Sequence, residues 1–375
     1  MLGRVGELPR KPKIRAYFDI IFMETDCCQV RSGDDVILVL RGRTVSEVLP
    51  QLFEHLDGSL NLRELAEACS SLVSKEDLLE ILQKLNSEGI LEDADVEVPL
   101  PLTAGELNRH TEQLLFLSHF ETEKYQFQSR LKGSRVAVIG TGALGSAVLS
   151  SLAGMGVGHL TAIETAGGSG NRCSSGNTSG PAATASPADR DPNTTLSIVD
   201  GSSSAAAIDA AVGGCDVVAV ATDKLEPSIY DEINRISLTD GVPWIICSPL
   251  NSIEGAVGPF FVPHETCCYR CYELRTKSNL SAYNEYVAYE EHARKKSGRT
   301  ADYGYLFPFP MVLGNLTALE VVKHITKFTQ PETYGRILSF NFLTLEARLH
   351  DVLKLPRCQD CSPSRGLPPL ALWSR

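Results

Sequence analysis

Two Cys-x-x-Cys pairs are the strongest chemical signal in this sequence of 375 residues and 11 cysteines. They are Cys268-x-x-Cys271 and Cys358-x-x-Cys361. Together they offer four thiolates, the closed tetrahedral ligand set of a structural zinc ion, which leaves no open position for a substrate. We therefore predict a zinc site that pins the C-terminal tail onto the body of its domain. Unligated or redox-active pairs are the alternative, and the neighbouring Cys267 could replace one ligand.

A glycine-rich turn is the second chemical feature. Gly140, Gly142 and Gly145 form the pattern GxGxxG between a buried strand and a helix, which lets a phosphate approach the helix N-terminus. Glu164 ends the next strand, 19 residues beyond Gly145, where a carboxylate could bind a ribose. Asp223 ends a later strand, where it would either face a nucleotide or cap the next helix. In the alternative interpretation, the glycines only let strand and helix pack closely.

A short apolar run could bind a peptide backbone. It comprises Val36, Ile37, Leu38, Val39 and Leu40. If the run is an edge strand, its unpaired backbone groups are a template for an added peptide strand. A predicted helix nearby could line a groove for the peptide's side chains with Leu78, Leu79 and Leu82. The alternative is that these residues are core, although alternate residues of a strand can serve both purposes.

The elements around this run predict a small winged-helix domain. Residues 13 to 42 are predicted as short strands with a turn at Gly33-Asp34. Three helices and a short strand at Ile90-Leu91 follow. The helices are predicted over Thr44 to Leu56, Asn61 to Leu72 and Ser74 to Ser87. Thr44 is predicted to open a capping box, and Ser74 to be an N-cap.

The usual ligand of a winged helix is DNA, but the charge of this segment argues against it. Residues 1 to 100 contain 11 basic and 19 acidic residues, a net charge of −8. The third helix would be the DNA reader, and residues 75 to 88 contain two lysines and four acidic residues. Phosphates repel such a helix from a major groove. We therefore predict that this winged helix reads a peptide.

Strand and helix alternate from Ser134 onward, which predicts a parallel sheet covered on both faces. Before it, residues 96 to 103 are predicted as a proline-rich linker and Glu106 to Leu131 as a helix. Residues 165 to 207, dominated by Gly, Ser, Ala and Thr, are predicted as a flexible loop or a poorly ordered half-layer. The last third is predicted to add antiparallel strands and an apolar helix over Met311 to Lys327.

The composition excludes several classes of protein. Lys and Arg total 35 against 46 Asp and Glu, a net charge of −11, so nucleic acid is a poor partner. No apolar run is long enough to span a membrane, and the N-terminus lacks the apolar core of a secretory signal. An odd number of cysteines without an export signal argues against a disulfide framework. We therefore expect a cytoplasmic protein with no membrane partner.

Several segments resemble one branch of the ThiF-like superfamily, the fold of ubiquitin-activating and molybdopterin-synthase-activating enzymes. The superfamily's opening is matched by RVAVIGTGALGSAVLSSLAGMGVGHLTAIE. The segments GAVGPFFVPHETCCYRCYELR, MVLGNLTALEVVKHIT and LPRCQDC look like the cyclodehydratase partner proteins of azole-forming peptide biosynthesis, also called leader peptide-binding proteins. The stretch LPQLFEHLDGSLNLRELAEACSSLVSKEDLLEILQKLNSEGILED resembles the peptide-recognition winged helix that heads that branch.

The resemblance, which spans nearly the whole chain, implies a function in the biosynthesis of ribosomally made, modified peptides such as bacteriocins. Proteins of this branch bind the leader of a precursor peptide. They present its Cys, Ser or Thr residues to a YcaO-type partner, which uses ATP to close azoline rings. In the family the leader adds as a strand beside the third strand of the winged helix and packs against its third helix. Those elements match residues 36 to 40 and 78 to 82, and the superfamily's usual dimerisation leaves a homodimer open.

The chain departs from the adenylating members of the superfamily at the nucleotide site. In those members an Asp-x-Asp-type element, an Asn-Leu-x-Arg-Gln segment and a lysine position ATP and magnesium. Here Glu164 is retained, Asn171-Arg172 is the only remnant of the segment, and no lysine occurs between Lys132 and Lys224. A thiol in the catalytic loop is also missing. Without cations to neutralise a triphosphate, adenylation would lose its main electrostatic stabilisation, so we expect a degenerate ATP site and no catalytic residue.

We therefore predict an α/β protein that acts as a non-catalytic partner of a cyclodehydratase. Residues 1–95 are predicted as a winged-helix leader-recognition domain, 96–132 as a linker and connecting helix, and 133–375 as a ThiF-like, Rossmann-type domain with a zinc-bound tail. The alternative is an ATP-dependent adenylating enzyme that activates a carboxylate of a bound peptide. An NAD-dependent oxidoreductase is a third hypothesis, and it rests only on the glycine turn and Glu164.

Overall fold

The computed structural model describes residues 8–23, 26–95, 102–120, 124–165, 193–201, 205–248, 253–295 and 304–362. The chain divides into two compact units, with the boundary between Gln126 and Phe127. The three-part division predicted from the sequence is finer than this one and stays a prediction. Within the described ranges, no helix is both long and apolar enough to cross a membrane.

The first unit contains two small antiparallel sheets. The three-stranded sheet has the order β2 (Asp19–Met23), β3 (Cys27–Ser32) and β4 (Asp35–Arg41). The two-stranded sheet pairs β1 (Pro12–Ile14) with β5 (Leu91–Asp93). The predicted turn at Gly33-Asp34 is confirmed, because β3 and β4 pair as a hairpin around it.

Three helices complete the core of the first unit: α1 (Arg43–Glu54), α2 (Leu62–Ala68) and α3 (Lys75–Ser87). Their buried leucines pack with Cys28, Val30 and Leu38 of the sheet. Ser74 caps α3 as predicted, since its hydroxyl accepts the Asp77 N–H at 3.1 Å. The predicted capping box at Thr44 is wrong. Helix α1 begins one residue earlier, at Arg43, and its N-cap is Gly42, which has no side chain to cap the helix.

The single helix predicted over residues 106 to 131 is wrong. The segment forms α4 (Ala104–Arg109), α5 (Thr111–Leu117) and α6 (Lys124–Gly133), and residues 121–123 lie outside the described ranges. His110 ends α4 and begins α5, with φ −98° and ψ 22°. Helix α4 starts in a capping box between Thr103 and Glu106. The apolar pattern continues across the break at His110, and the sequence therefore indicated one helix.

One eight-stranded mixed sheet forms the centre of the second unit. Its strands are β6 (Arg135–Ile139), β7 (His159–Glu164), β8 (Thr195–Asp200), β9 (Val217–Val220), β10 (Trp244–Cys247), β11 (Glu254–Phe261), β12 (Arg336–Asn341) and β13 (Glu346–Asp351). Their order is β13-β12-β11-β10-β9-β6-β7-β8. Strands β10, β9, β6, β7 and β8 pair with one another in parallel. The pairs β10-β11, β11-β12 and β12-β13 are antiparallel, as predicted for the last third of the chain.

Helices cover both faces of this sheet. They are α7 (Ala143–Gly154), α8 (Ala205–Val212), α9 (Pro227–Asp240), α10 (Tyr269–Ser278), α11 (Tyr283–Lys295) and α12 (Pro308–Thr326). Val136 and Val138 of β6 belong to the core with α7 and α12, while Ala137 and Ile139 belong to the core with α8, α9 and α10. Alternate strand residues thus feed two cores, which confirms the predicted α/β class.

The loop predicted over residues 165 to 207 is partly wrong. Strand β8 pairs in parallel with β7 along its whole length, and α8 begins at Ala205. The strand is an exposed sheet edge, where Ser and Thr are tolerated, so its composition resembled that of a loop. Residues 166–192 and 202–204, including Asn171-Arg172, lie outside the described ranges.

Candidate functional site

The structure brings the four predicted metal ligands together. The sulfur atoms of Cys268, Cys271, Cys358 and Cys361 all lie within 4.8 Å of one another. The Sγ–Sγ distance is 3.8 Å from Cys268 to Cys271 and 3.6 Å from Cys268 to Cys358. Four sulfurs at about 2.3 Å from one tetrahedral ion would lie about 3.8 Å apart. The donor set and its spacing therefore fit one metal ion.

Helix α10 and a turn in the tail position these thiols. Cys268 is the N-cap of α10, and Cys271 lies in its first turn. Cys358 follows a turn closed by a hydrogen bond from its N–H to the Leu355 carbonyl at 3.2 Å. The Leu355 N–H in turn donates to Cys271 Sγ at 3.4 Å. Such N–H to sulfur bonds orient a thiolate that holds a metal.

Asn234 on α9 joins the two halves of the ligand set. Its Oδ1 accepts the N–H of Tyr269, the residue after Cys268, at 2.9 Å. Its Nδ2 donates to Asp360, which lies between the two tail cysteines, at 3.0 Å. The residue is 4% exposed; its bond to Tyr269 is buried and its bond to Asp360 is partly buried. No local signal in the sequence marks this residue, because it is distant in the chain from both Cys-x-x-Cys pairs.

The buried thiols differ in acidity. The hydrogen bond from the Cys268 thiol lowers the pKa of Cys271 to about 4. Cys267, considered above as a replacement ligand, is not part of the four-sulfur group. Burial raises the pKa of Cys267 to about 12.

A network of ion pairs holds α10 in place. Lys277 of α10 contacts Glu273 of the same helix, at 2.6 Å, and Glu290 of α11. Arg270 adds a second cation on Glu273 at 2.5 Å. Arg294 bridges Glu290 and Asp231, the latter on α9, at 3.3 and 2.5 Å. Charges on three helices therefore compensate one another beside the metal centre, and sequence reasoning missed them.

Each glycine of the predicted phosphate turn lies close to another part of the chain. A Cβ atom on Gly140, whose φ is 108°, would lie 2.3 Å from the Ala221 carbonyl oxygen. A Cβ on Gly145 would lie 1.8 Å from the Gly140 oxygen, and one on Gly142 would lie 2.0 Å from Asp223 Oδ2. At Gly140 and Gly145 the neighbouring atoms are backbone, so these two positions require glycine for packing. Phosphate binding by the turn stays a prediction.

Asp223 caps α7, and the predicted alternative that it caps the following helix is wrong. Its Oδ2 accepts the Ala143 N–H at 2.8 Å, and its Oδ1 accepts the Leu144 N–H at 3.0 Å. The following helix, α9, has Glu226 as its N-cap. Glu164, the predicted ribose ligand, lies half-buried at the end of β7, on the same edge of the parallel sheet as the turn.

The predicted peptide-binding residues fall into a surface group and a core group. On β4, Val36, Ile37 and Val39 are exposed, whereas Leu38 is buried. Leu40 is half-buried and packs against the core. On α3, Leu79 is 36% exposed, while Leu78 and Leu82 are buried. Among the described strands β4 pairs only with β3, so its other edge is open.

Comparisons with known proteins agree with this architecture. The ThiF family matches residues 110–165 and 181–362. A molybdopterin-synthase adenylyltransferase from Salmonella typhimurium is 27% identical over 69% of this chain and 98% of its own length. The corresponding Escherichia coli protein is 25% identical over the same shares.

Solved structures share the fold at lower identity. Escherichia coli MccB, solved with succinimide, has a TM-score of 0.65 and 15% identity, covering 94% of this chain and 99% of its own. MccB is described as a microcin C7 biosynthetic enzyme and was solved with ATP and with N-formylated MccA. The heterocyclase TruD has a TM-score of 0.62 and 20% identity, covering 98% of this chain but 46% of TruD. The extent of the family match and the shared α/β sheet lead to one conclusion: this chain belongs to the ThiF family.

Proposed function

We propose that this protein binds the leader of a ribosomally synthesised precursor peptide and presents it to a YcaO-type cyclodehydratase. That partner would use ATP to form azoline rings on Cys, Ser or Thr residues of the peptide. The observation that carries the proposal is the open, apolar edge of β4 in the first unit. We also propose that this unit contains a winged-helix recognition domain over residues 1–95.

The edge of β4 has the chemistry that an added strand needs. Its outer backbone groups have no strand partner among the described residues, and an extended peptide could satisfy them. Val36 and Val39 expose 47% and 40% of their surface, so side chains of the peptide would find apolar neighbours. In this arrangement the exposed Leu79 lines the groove, and the buried Leu78 and Leu82 support it from the core.

The likeness to TruD supports a function connected with heterocycle formation. The match covers 98% of this chain and 46% of TruD, which is described as a heterocyclase. We propose that a second protein supplies the ring-forming activity, and that this chain contributes peptide recognition.

We propose that the ion in the four-cysteine site is zinc. A closed set of four thiolates with tetrahedral spacing is the usual structural zinc site, and it leaves no position for a substrate. When bound, the zinc would offset part of the negative charge of the thiolates and cross-link α10 to the tail. The assignment accounts for the thiols without giving any of them a catalytic role.

The test of leader binding compares two matched variants. Val39 on β4 and Ile21 on β2 both pair with Gln29 and are 40% and 43% exposed. Val39→Asp should weaken binding of a fluorescein-labelled leader peptide by at least about tenfold, roughly 1.4 kcal/mol, as measured by fluorescence anisotropy. Ile21→Asp should bind as the wild type does. Leu38 is unsuitable for this test, since a polar residue there would disturb the core.

Two results would contradict the proposal. Unchanged binding by Val39→Asp would show that β4 is not the docking edge. Equal losses in both variants would point to a general effect of charge on the sheet. Circular dichroism of each variant would verify that the first unit remains folded.

An adenylating enzyme is the second candidate, and the likeness to adenylyltransferases favours it. It would activate a carboxylate of a bound peptide with ATP. Peptide-dependent exchange of pyrophosphate into ATP would support it, and Asp223→Ala should then abolish the exchange. We favour the scaffold because no lysine occurs between Lys132 and Lys224 to neutralise a triphosphate.

A further inference from the structure

A small cavity in the second unit connects the protein surface with the four-cysteine site. Cys267, Cys268 and Cys361 line it on the side of the thiols. His264 lines it on the side of the solvent, where this residue is exposed. Helix α9 contributes the buried Ser237 to the wall. The cavity has room for about one water molecule.

The cavity reaches two of the four metal ligands. Cys268 and Cys361 line it, whereas Cys271 and Cys358 do not. Cys361 is half-buried and is the most exposed of the four, while Cys271 is fully buried and Cys358 is 2% exposed. The ligand set is therefore most open on the side that faces the cavity.

A polar group is buried in the wall of the cavity. Trp244 of β10 lines it and is fully buried. Among the described residues, its Nε1 is the one buried side-chain nitrogen or oxygen without a hydrogen-bond partner. Water normally satisfies such an N–H group where the protein offers no acceptor. A wet cavity beside the thiols gives a cation a polar route through an apolar core, which would otherwise exclude charge.

A fixed turn holds His264 at the mouth of the cavity. The Thr266 hydroxyl accepts the Val262 N–H at 2.8 Å, and the Thr266 N–H donates to the Val262 carbonyl at 3.0 Å. Between them His264 has a φ of 66°, and its carbonyl oxygen accepts a hydrogen bond from Lys354 of the tail. Imidazole is a common zinc ligand, so this side chain can bind an ion before the thiols do.

We propose that the cavity is the path by which the metal ion enters and leaves the four-cysteine site, and that His264 is the first protein ligand on this path. On entry, the imidazole nitrogen and water are exchanged for the sulfurs of Cys268 and Cys361, and each thiol that binds releases its proton to water. An ion that has shed its waters fits the cavity, because zinc–ligand distances are only about 2.0–2.3 Å. The inference rests on metal binding by the four cysteines and is independent of leader binding.

The experiment measures how fast zinc enters and leaves the full-length protein, by stopped-flow absorbance with a chromophoric zinc chelator. Ser237→Leu places a larger side chain in the cavity and should slow both rates by at least about tenfold. The affinity, which is the ratio of the two rates, should change by less than about twofold. Ser228→Leu is the matched control, because Ser228 is exposed on the same helix. It should exchange zinc as the wild type does.

A second variant tests the first ligand. His264 is not part of the four-sulfur group, so His264→Ala should slow entry and exit by the same factor, at least about threefold, and leave the affinity unchanged. A residue that belonged to the final site would instead change the affinity. His159→Ala, at the exposed start of β7, should have no effect on either rate.

Four outcomes would overturn the proposal. Exchange by Ser237→Leu at the wild-type rate would show that the ion takes another path. Faster exit would indicate exchange through local unfolding, since a destabilised protein opens more often. Equal slowing in Ser228→Leu would show an effect unrelated to the cavity. A wild-type protein that binds no zinc at equilibrium would refute the four-cysteine site itself. If Ser237→Leu does not fold, Ser237→Val replaces it under the same criteria.

Discussion

Single side chains decide how the two cysteine pairs meet. Asn234 contacts the backbone next to Cys268 and the side chain of Asp360, so one amide sets the distance between the helix and the tail. Partners of this kind do not touch the metal, but they fix the directions of its ligands. A buried amide that loses one partner is also costly, because the other groups remain shielded from water.

Asn234→Ala should weaken zinc binding by about 10- to 100-fold. Its two contacts would be lost, and the tail cysteines would be held less firmly. Competition with a chromophoric zinc chelator measures the affinity. Asn279→Ala is the control, since Asn279 is exposed at the end of α10 and bonds to Arg275 of its own helix. An affinity of Asn234→Ala equal to that of this control would contradict the prediction.

At the scale of elements, ion pairs between helices hold α10 in place beside the metal centre. Lys277 lies between Glu273 and Glu290, with its side chain 13% exposed. The pKa of Glu273 is lowered despite burial, which by itself raises it, because Lys277 and Arg270 stabilise the charged carboxylate. Removing one cation from such a group leaves buried charge uncompensated.

Lys277→Met should lower the free energy of unfolding by about 2–4 kcal/mol, because two buried carboxylates lose a shared cation while Arg270 and Arg294 remain. Denaturant unfolding of the full chain gives the value. Lys295→Met, at the exposed end of α11, should change it by less than about 0.5 kcal/mol. A loss in Lys277→Met as small as that would show that the network contributes little to stability.

At the scale of the molecule, the four-cysteine site brings the tail of the second unit to α10. The tail supplies two of the four cysteines. The tail is also attached by the packing of Val352 and Leu355 against the core. Hydrogen bonds add to this, including those from Arg275 to the carbonyls of Leu353 and Lys354 at 2.5 and 3.0 Å, which are exposed. We expect a bound metal to fix the segment around Cys358 and Cys361 beyond these contacts.

Chelation of the metal should make the tail accessible to protease. Arg357 is exposed and directly precedes Cys358, so trypsin should cleave after it at least about tenfold faster in the metal-free protein, through local opening of the tail. Mass spectrometry follows the cleavage. Cleavage after Arg63, on α2 of the first unit, is the internal reference and should keep its rate. Equal rates after Arg357 with and without metal would contradict the attachment.

Local signals in the sequence predicted much of the fold. Alternating apolar strands and helices indicated the α/β sheet, and Gly33-Asp34 and Ser74 marked a hairpin and a helix start that the structure confirms. These signals work because turns and caps depend on residues within a few positions. Strand β8 was not predicted, because its partner β7 is distant in the chain. The break at His110 was not predicted either, because helical residues continue on both sides of it.

The same physical division applies to the candidate sites. The sequence by itself predicted the four-thiol ligand set, because the thiols stand in two local pairs of recognisable spacing. Only the tertiary structure decided that Asn234 bridges those pairs and that Asp223 caps α7. It also decided which residues of 36–40 reach the surface. These facts depend on contacts between strands and helices far apart in the chain, which residue type and spacing do not encode.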